Sequence, residues 1–232
     1  MNALIKKGML MTVLALSVNT AMAAQSIDIK VTGKIIPSSC TPAFPSGGGI
    51  ADFGTMKVAS LNSTSVTPLT ERKEIPVSIT CEEDTRVAVK FTDAREASSP
   101  TADIPFYSFS GSPQFAFGLG TYNSKNIGAY ALGISLTQGA NTNGNGESLY
   151  PMFSLDSGET WGRSGSSSHL QIASDNREIY GFTKDLSTGV LSAESKINFK
   201  VFVEATINPT NDLNVTDEVT LDGLTNVELV YL

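Results

Sequence analysis

Short runs of alternating apolar and polar residues are the feature that most limits how this chain can fold. A period of two places every second side chain on one face of a β-strand. No stretch shows the 3.6-residue period of a long amphipathic helix, and Gly, Ser, Asn, Asp or Pro separates the runs. We therefore expect an all-β sandwich of short strands. The clearest runs cover residues 33–36, 73–81, 86–92, 129–137, 195–207, 219–221 and 225–232.

The first 23 residues have the pattern of a secretory signal peptide. Two lysines precede an apolar stretch over residues 8–18, and Ala21-Met22-Ala23 matches the small-x-small cleavage rule. The apolar stretch is too short to span a bilayer. We predict that residues 1–23 are removed and that the product is exported without direct membrane insertion.

The charge of the exported chain argues against nucleic acid or an anionic membrane surface as a partner. When Lys6 and Lys7 leave with the signal peptide, 14 of the 16 basic residues remain against 23 acidic residues, a net charge of −9. An acidic surface repels phosphate groups. The same sign is also that of an ordinary soluble surface, so it excludes partners without identifying one.

The two cysteines, Cys40 and Cys81, are most simply read as a structural disulfide. In an oxidising compartment a single pair has no third partner to compete with it. A metal pair needs closer spacing and more ligands, and a redox pair needs the C-x-x-C pattern. The separation of 41 residues predicts roughly 4 kcal/mol of stabilisation in the chain-entropy model.

No pattern in the chain predicts catalysis, a cofactor or a metal. The single histidine, His169, lies in a Ser/Gly-rich segment, and the chain has no G-x-S-x-G motif and no cluster of metal ligands. The acidic group at 82–84 follows Cys81 in a predicted turn, where a solvated loop explains it. We expect a protein that is not an enzyme.

Both ends of the exported chain alternate like β-strands. Near the N-terminus the apolar positions are Ile27, Ile29, Val31 and Ile35, with Gly33 between them, and at the C-terminus they are Val227, Leu229 and Tyr231. Chain ends usually fray and are polar. One interpretation is that these are the first and last strands of a complete domain. The other is that each end pairs with a second protein.

Five segments, in order and with the cysteine spacing and the leader, form a family pattern. They are Ile29-x-Val31-x-Gly33-x-Ile35-Ile36 before Cys40, residues 52–61 with their Phe-Gly and Ala-Ser-Leu groups, 75–81, 130–136, and the penultimate Tyr231. The pattern resembles the chaperone–usher fimbrial subunits, the pilins of Gram-negative surface fibres. The resemblance covers 24–92 and 196–232 well, 130–137 moderately, and 93–129 and 138–195 poorly. The chain is longer than the usual shaft pilin, which fits the larger branch called beta-fimbriae.

The resemblance implies an incomplete immunoglobulin-like sandwich that lacks its last strand and is completed by donor-strand complementation. Residues 24–36 would be the donor-strand extension and 37–232 the pilin-like domain. The implied partners are a periplasmic fimbrial chaperone, an outer-membrane usher, and other copies or sister subunits of the fimbria. The implied location is the cell surface, reached through the periplasm.

The same resemblance assigns roles to both chain ends. The donor strand would present Ile27, Ile29, Val31, Gly33 and Ile35, and the acceptor groove or chaperone-binding end would be formed by Val227, Leu229, Tyr231 and Leu232. One departure from the family is Val219, which stands where a glycine is usual, fourteen residues from the end. Gly223 is the nearest glycine, and the register of the final strand is therefore left open.

The predicted function is that of a structural fimbrial subunit that polymerises by donor-strand exchange. The alternative is a minor tip or adaptor subunit, or an adhesin that binds a host glycan or surface ligand. Trp161, with Tyr150, Phe153 and Arg163 nearby, could stack on a sugar ring or could anchor a long loop in the core. A fimbrial chaperone is a third class, but it would have two domains, a basic cleft and no cysteine pair at these positions.

Overall fold

Among the described residues, the regular secondary structure is almost entirely β-strand, as the period-two pattern predicted. The computed structural model describes residues 29–35 and 39–232. The chain divides into two units after Ile36, and the strands of the described residues belong to the second unit. The strands are β1 Cys40–Ala43, β2 Thr67–Pro68, β3 Lys73–Thr85, β4 Val87–Asp93, β5 Phe117–Gly118, β6 Thr121–Tyr122, β7 Lys125–Asn126, β8 Gly128–Ser135, β9 Thr142–Asn143, β10 Tyr150–Ser154, β11 His169–Gln171, β12 Ile179–Thr183, β13 Glu194–Ile207 and β14 Thr225–Tyr231.

Helical structure is confined to single turns in the described part of the chain. The α-helix α1 spans Thr210–Leu213, and 3-10 turns lie at Gly47–Gly49, Val58–Ser60, Glu96–Ser98 and Pro113–Phe115. None of the helices in the described ranges is long and apolar enough to cross a membrane.

Two antiparallel sheets enclose the main core of the second unit. The larger sheet has the order β1-β3-β13-β8-β11, with β2 and β9 also paired to β13 and β5 paired to β8. The smaller sheet has the order β10-β12-β4-β14, and β6 pairs with β7 alone. Phe182 of the smaller sheet and Phe199 of the larger sheet meet with ring centroids 4.9 Å apart. The all-β sandwich predicted from the sequence is therefore confirmed.

Five of the predicted runs form strands close to their expected bounds, namely 73–81, 86–92, 129–137, 195–207 and 225–232. The prediction of a strand at 219–221 is wrong, because these residues have no hydrogen-bonded partner strand. Residues 52–61, one of the segments that carry the family resemblance, form no strand, and a 3-10 turn spans Val58–Ser60. The short strand β1 lies outside all the predicted runs. Alternation predicts an extended chain, but a strand also needs a partner edge.

A second apolar cluster covers the outer face of the larger sheet. Ile104, Phe106 and Phe109 pack with Ala129 and Ala131 of β8 on the face away from the main core. All eight residues of β8 are consequently buried. The segment between β4 and β5, where the family resemblance is weak, thus forms a cover for this sheet.

A buried ion pair ties that cover to β13. Glu204 is completely buried, and its carboxylate accepts hydrogen bonds from Arg72 Nε at 3.1 Å and Nη2 at 2.9 Å. It also accepts one from the backbone N–H of Ser108 at 2.8 Å. Burial alone would raise the pKa of Glu204, but the hydrogen bonds from Ser108 and Arg72 hold it below its usual value. The carboxylate therefore stays charged in the core.

Candidate functional site: an open groove in the sandwich

A groove of about 890 Å³ opens directly onto the main core. Its floor is made of side chains from both sheets that are otherwise buried, such as Phe91 of β4 and Val201 of β13. A closed domain covers such side chains, because exposing apolar surface costs roughly 25 cal/mol per Å². The remaining floor residues are Leu119, Ile127, Tyr130, Leu132, Val203, Ile207 and Leu213.

The walls of the groove come from two segments that are not strands. One wall is the stretch from Phe44 to Leu61, and the other runs from Leu213 to Leu224. Apolar side chains of both walls are half-buried and pack against the core, among them Phe53, Met56 and Val219. The walls thus supply an apolar lining but no backbone ladder along the groove.

Each sheet presents an unpaired edge at this groove. Within the described residues β14 pairs only with β4, so its other edge carries free N–H and C=O groups. β1 pairs with residues 78–81 of β3, which leaves residues 73–77 of β3 without a paired strand on that side among the described residues. Ile75 and Val77 of β3 and Val227 of β14 all line the groove. The gap lies where an additional strand would close the sandwich.

The charged residues that line the groove are acidic, although Lys57 lies in one wall without lining it and Lys73 Nζ lies 5.6 Å from the ring of Phe53 in that wall. Asp52, Asp217 and Glu218 line the groove, and no basic residue is among the described residues that do so. All three carboxylates are exposed. Inside the groove Tyr130 and Thr225 join their hydroxyl groups at 2.6 Å, and burial raises the pKa of Tyr130, which keeps it uncharged. The site is an apolar slot with an acidic border.

The four residues predicted for the acceptor end lie in different places. Val227 lines the groove, and Leu229 is half-buried against the core. Tyr231 is 44% exposed, and its hydroxyl accepts a hydrogen bond from the Cys40 N–H at 2.8 Å. Leu232 lies over Gly158, where an added Cβ would come within 2.7 Å of Leu232 Cδ2. The structure therefore brings Val227 and Leu229 to the core side and sends the last two residues toward the disulfide and the 154–162 loop.

The predicted donor residues that the structure describes are fully available to solvent. Ile29, Val31 and Ile35 are 90%, 92% and 103% exposed. No atom lies within 4 Å of a Cβ built on Gly33. Residues 29–35 form no strand pairing, whereas Ile27 and Ile36 lie outside the described residues. The alternating pattern is present here, but its apolar face is not buried.

The cysteine pair forms the disulfide that was predicted. Cys40 and Cys81 are bonded and face each other across β1 and β3. The bridge fixes the short β1 to the C-terminal half of β3. The unpaired edge of β3, residues 73–77, ends four residues before Cys81, so the disulfide borders the gap without filling it.

Sequence reasoning missed most of the groove. Phe91, Tyr130 and Ile75 were read as ordinary strand residues, and Val219 and Leu221 were assigned to a strand of their own. The alternation of Val219 and Leu221 was a real signal, since both side chains line the groove. Nothing local to either segment indicates that they border the same opening.

The side chains considered for other functions have structural roles. His169 is buried against the Phe109 ring, with centroids 4.3 Å apart, and burial lowers its pKa. Trp161 is half-buried, and its Nε1–H donates to the Gly158 carbonyl at 3.1 Å within its own loop. No group of three potential metal ligands occurs in the described ranges. The contacts of His169 and Trp161 hold their loops in place.

Comparisons with known proteins give two relatives of similar length. The chain is 28% identical to protein GltF of Escherichia coli K12, covering 94% of each chain. It is 29% identical to the uncharacterized protein YhcF of the same organism, covering 91% of this chain and 94% of the relative. Residues 29–131 match a family model described as a protein of unknown function, DUF1120.

A solved structure of a chaperone–usher pilus matches 91% of this chain and 98% of its own, at 11% identity and a TM-score of 0.31. A TM-score of that size does not by itself support a shared fold, so the strand pairing described above carries the fold assignment. The open all-β sandwich and the exposed apolar segment over residues 29–35 agree with what the motif resemblance implied.

Proposed function

We propose that the chain is a structural subunit of a bacterial surface fimbria that polymerises by donor-strand exchange. The observation that carries the proposal is the 890 Å³ groove, which opens the core between two unpaired strand edges. An extended segment from another subunit would add the missing strand. Its backbone would pair with the edge of β14, and its alternate side chains would enter the groove.

The same chain carries a segment of matching chemistry. Residues 27–35 present apolar side chains at every second position except Gly33, and the described members of that row, Ile29, Val31 and Ile35, are exposed. Burying four such aliphatic side chains, Ile27 included, is worth roughly 6–10 kcal/mol before ordering costs. In the arrangement that the family resemblance implies, Gly33 would occupy a position of the groove that admits no side chain. One copy can therefore act as donor and the next as acceptor.

The route to the surface follows from the exposed groove. A subunit with an open core aggregates unless another protein covers it, which is the role of a periplasmic fimbrial chaperone. An outer-membrane usher would then replace the chaperone with the donor strand of the next subunit. In this proposal Tyr231 and Leu232 form the end that the chaperone holds, and the polymer lies at the cell surface. The role is structural rather than enzymatic.

Substitution at Gly33 tests the proposal. Gly33→Leu places a bulky side chain on the face that enters the groove, so fibres should be lost while the monomer still folds. The matched control is Thr32→Leu, which adds a similar side chain to the opposite face and should leave fibre length unchanged. Electron microscopy of cells and the circular dichroism of the purified chain measure the two quantities.

Deletion of residues 24–34 is a second test of donor-strand exchange. The shortened chain should accept a donor strand but not supply one, so it should cap fibres and never extend them. Normal fibres from either Gly33→Leu or the deletion would exclude donor-strand exchange by this segment.

A further inference from the structure

The charges of the two partner surfaces are opposite. The donor segment has Lys30 and Lys34 on the face opposite its apolar row, and we call these two residues the basic face. The groove is bordered by Asp52, Asp217 and Glu218, which we call the acidic rim. None of the rim carboxylates takes part in an ion pair within the described part of the chain.

The spacing of the basic face suits the groove. In a strand, residues four apart lie on one face and are about 13 Å apart at a rise of roughly 3.3 Å per residue. When Ile29, Val31 and Ile35 point into the groove, Lys30 and Lys34 must point out of it. Their long side chains then lie at the level of the groove border, where the acidic rim is exposed.

The edge of β14 adds a carboxylate at the same level. Val227 points into the groove, so its neighbour Glu228 points to the outer face, where it is exposed. A strand added beside β14 would bring its own outer-face residues to within about 5 Å of Glu228, measured between Cβ atoms. On its other side Glu228 stands opposite Lys90 of β4, so it would lie between two lysines. The charge contrast with the donor therefore comes mainly from the acidic rim.

We propose that the occupant of the groove is the 29–35 segment of a second copy of this chain, selected by pairing of its basic face with the acidic rim. The inference rests on the proposed donor-strand exchange between copies and adds the charge pairing by which the groove selects its donor. Apolar burial is common to any alternating segment, whereas the charge pattern distinguishes this donor from a neutral or acidic one. The chain would then form a homopolymer.

Exposed charge pairs act mainly on the rate of encounter and are screened by salt. In the wild-type chain without its leader, unfolded and then diluted into buffer, joining of subunits is followed by light scattering and by the oligomer ladder on native gels. Lys30→Glu/Lys34→Glu should slow the initial rate about tenfold at about 20 mM NaCl. At about 500 mM NaCl the difference from wild type should fall below about twofold.

Charge reversal on the rim provides the complementary arm. Asp217→Lys/Glu218→Lys should slow joining of the otherwise wild-type chain by a similar factor. Combined with Lys30→Glu/Lys34→Glu, it should restore the rate to within about threefold of wild type, because the attraction is rebuilt with the opposite sign. The control Lys125→Glu/Lys196→Glu makes the same change of net charge with exposed lysines that do not line the groove. Its rate should match wild type.

The outcomes distinguish selection of the donor by charge from donor-strand exchange itself. Rescue by the combined reversal, with an unchanged control, supports selection by charge. Equal rates for wild type and Lys30→Glu/Lys34→Glu at low salt would overturn it, and so would equal slowing by the control. If Gly33→Leu still abolishes joining in that case, donor-strand exchange stands and only the charge selection fails. If Gly33→Leu also joins normally, both fail.

Discussion

A strand supplied in cis should close the groove and stabilise the domain by an amount that the structure allows us to work out. The change is to append residues 27–36 after Leu232 through a short turn, so that the added strand lies along the free edge of β14. The unfolded chain gains the same residues whatever their sequence. Both appended strands lose conformational entropy when they become ordered on folding, so this cost cancels when the two proteins are compared.

The reference for that comparison is an appended strand with two of its apolar residues replaced, equivalent to Ile29→Ser and Ile35→Ser. These side chains are 90% and 103% exposed in the chain as it stands, so insertion would transfer nearly all of each to the core. Full burial of an isoleucine side chain is worth about 1.5–3 kcal/mol. The intact strand should therefore stabilise the domain by about 3–6 kcal/mol more than the replaced strand.

Urea unfolding measures this difference as the shift in midpoint multiplied by the slope. In a domain of this size each kcal/mol moves the melting temperature by about 2–4 °C, so the intact strand should raise it by roughly 6 °C or more over the replaced strand. Free energies of unfolding that agree to within about 0.5 kcal/mol for the two appended strands would refute the reasoning, because burial of the apolar row in the groove would then add no stability. An increased slope would also show that more surface is buried.

Three further predictions concern the frame around the groove. Replacing Cys40 and Cys81 together with alanine should lower the free energy of unfolding by roughly 4 kcal/mol, as measured by urea unfolding against the wild type in the absence of reductant; equal stabilities would show that the bridge does not restrict the unfolded chain. Glu204→Gln should cost about 3 kcal/mol at pH 7 because the Arg72 charge loses its buried partner. Since the pKa of Glu204 is lowered in the folded state, its contribution is present above about pH 4.5 and is lost as the pH falls through the lowered pKa, so the difference between the two proteins should shrink in acid. Tyr231→Phe removes the hydroxyl that accepts the Cys40 N–H and should cost about 1 kcal/mol, read as the change in urea midpoint; no change would show that water replaces it.

Much of the fold was predictable because its signals are local. Residues 73–81 and 195–207 alternate over enough positions to specify β3 and β13, and the pairing of Cys40 with Cys81 followed from there being two cysteines in a chain with the pattern of a secretory leader. The strand β12 was missed because all five of its residues are buried, which removes the polar–apolar alternation. β10 was missed as well, and its Pro151 argues against a strand when only the sequence is read.

The alternation of the predicted donor segment was visible in the sequence, whereas Val227 was the one predicted acceptor residue that lines the groove. Ile29, Val31 and Ile35 form a pattern within seven residues, and the structure describes them as exposed without any strand partner. The groove depends on residues as far apart as Ile75 and Val227. Whether they border an opening or a filled core depends on which strand edges find partners.

The sequence by itself determined the class of structure, the disulfide, and two apolar chain ends that alternate with a period of two. Only the tertiary structure decided that the edges of β3 and β14 stay unpaired, that Val219 and Leu221 line a groove instead of forming a strand, and that Leu232 lies over Gly158. The physical reason is that alternation sets the conformation of each segment from neighbouring residues. Pairing and burial depend on segments far apart in sequence, which meet only when the chain has folded.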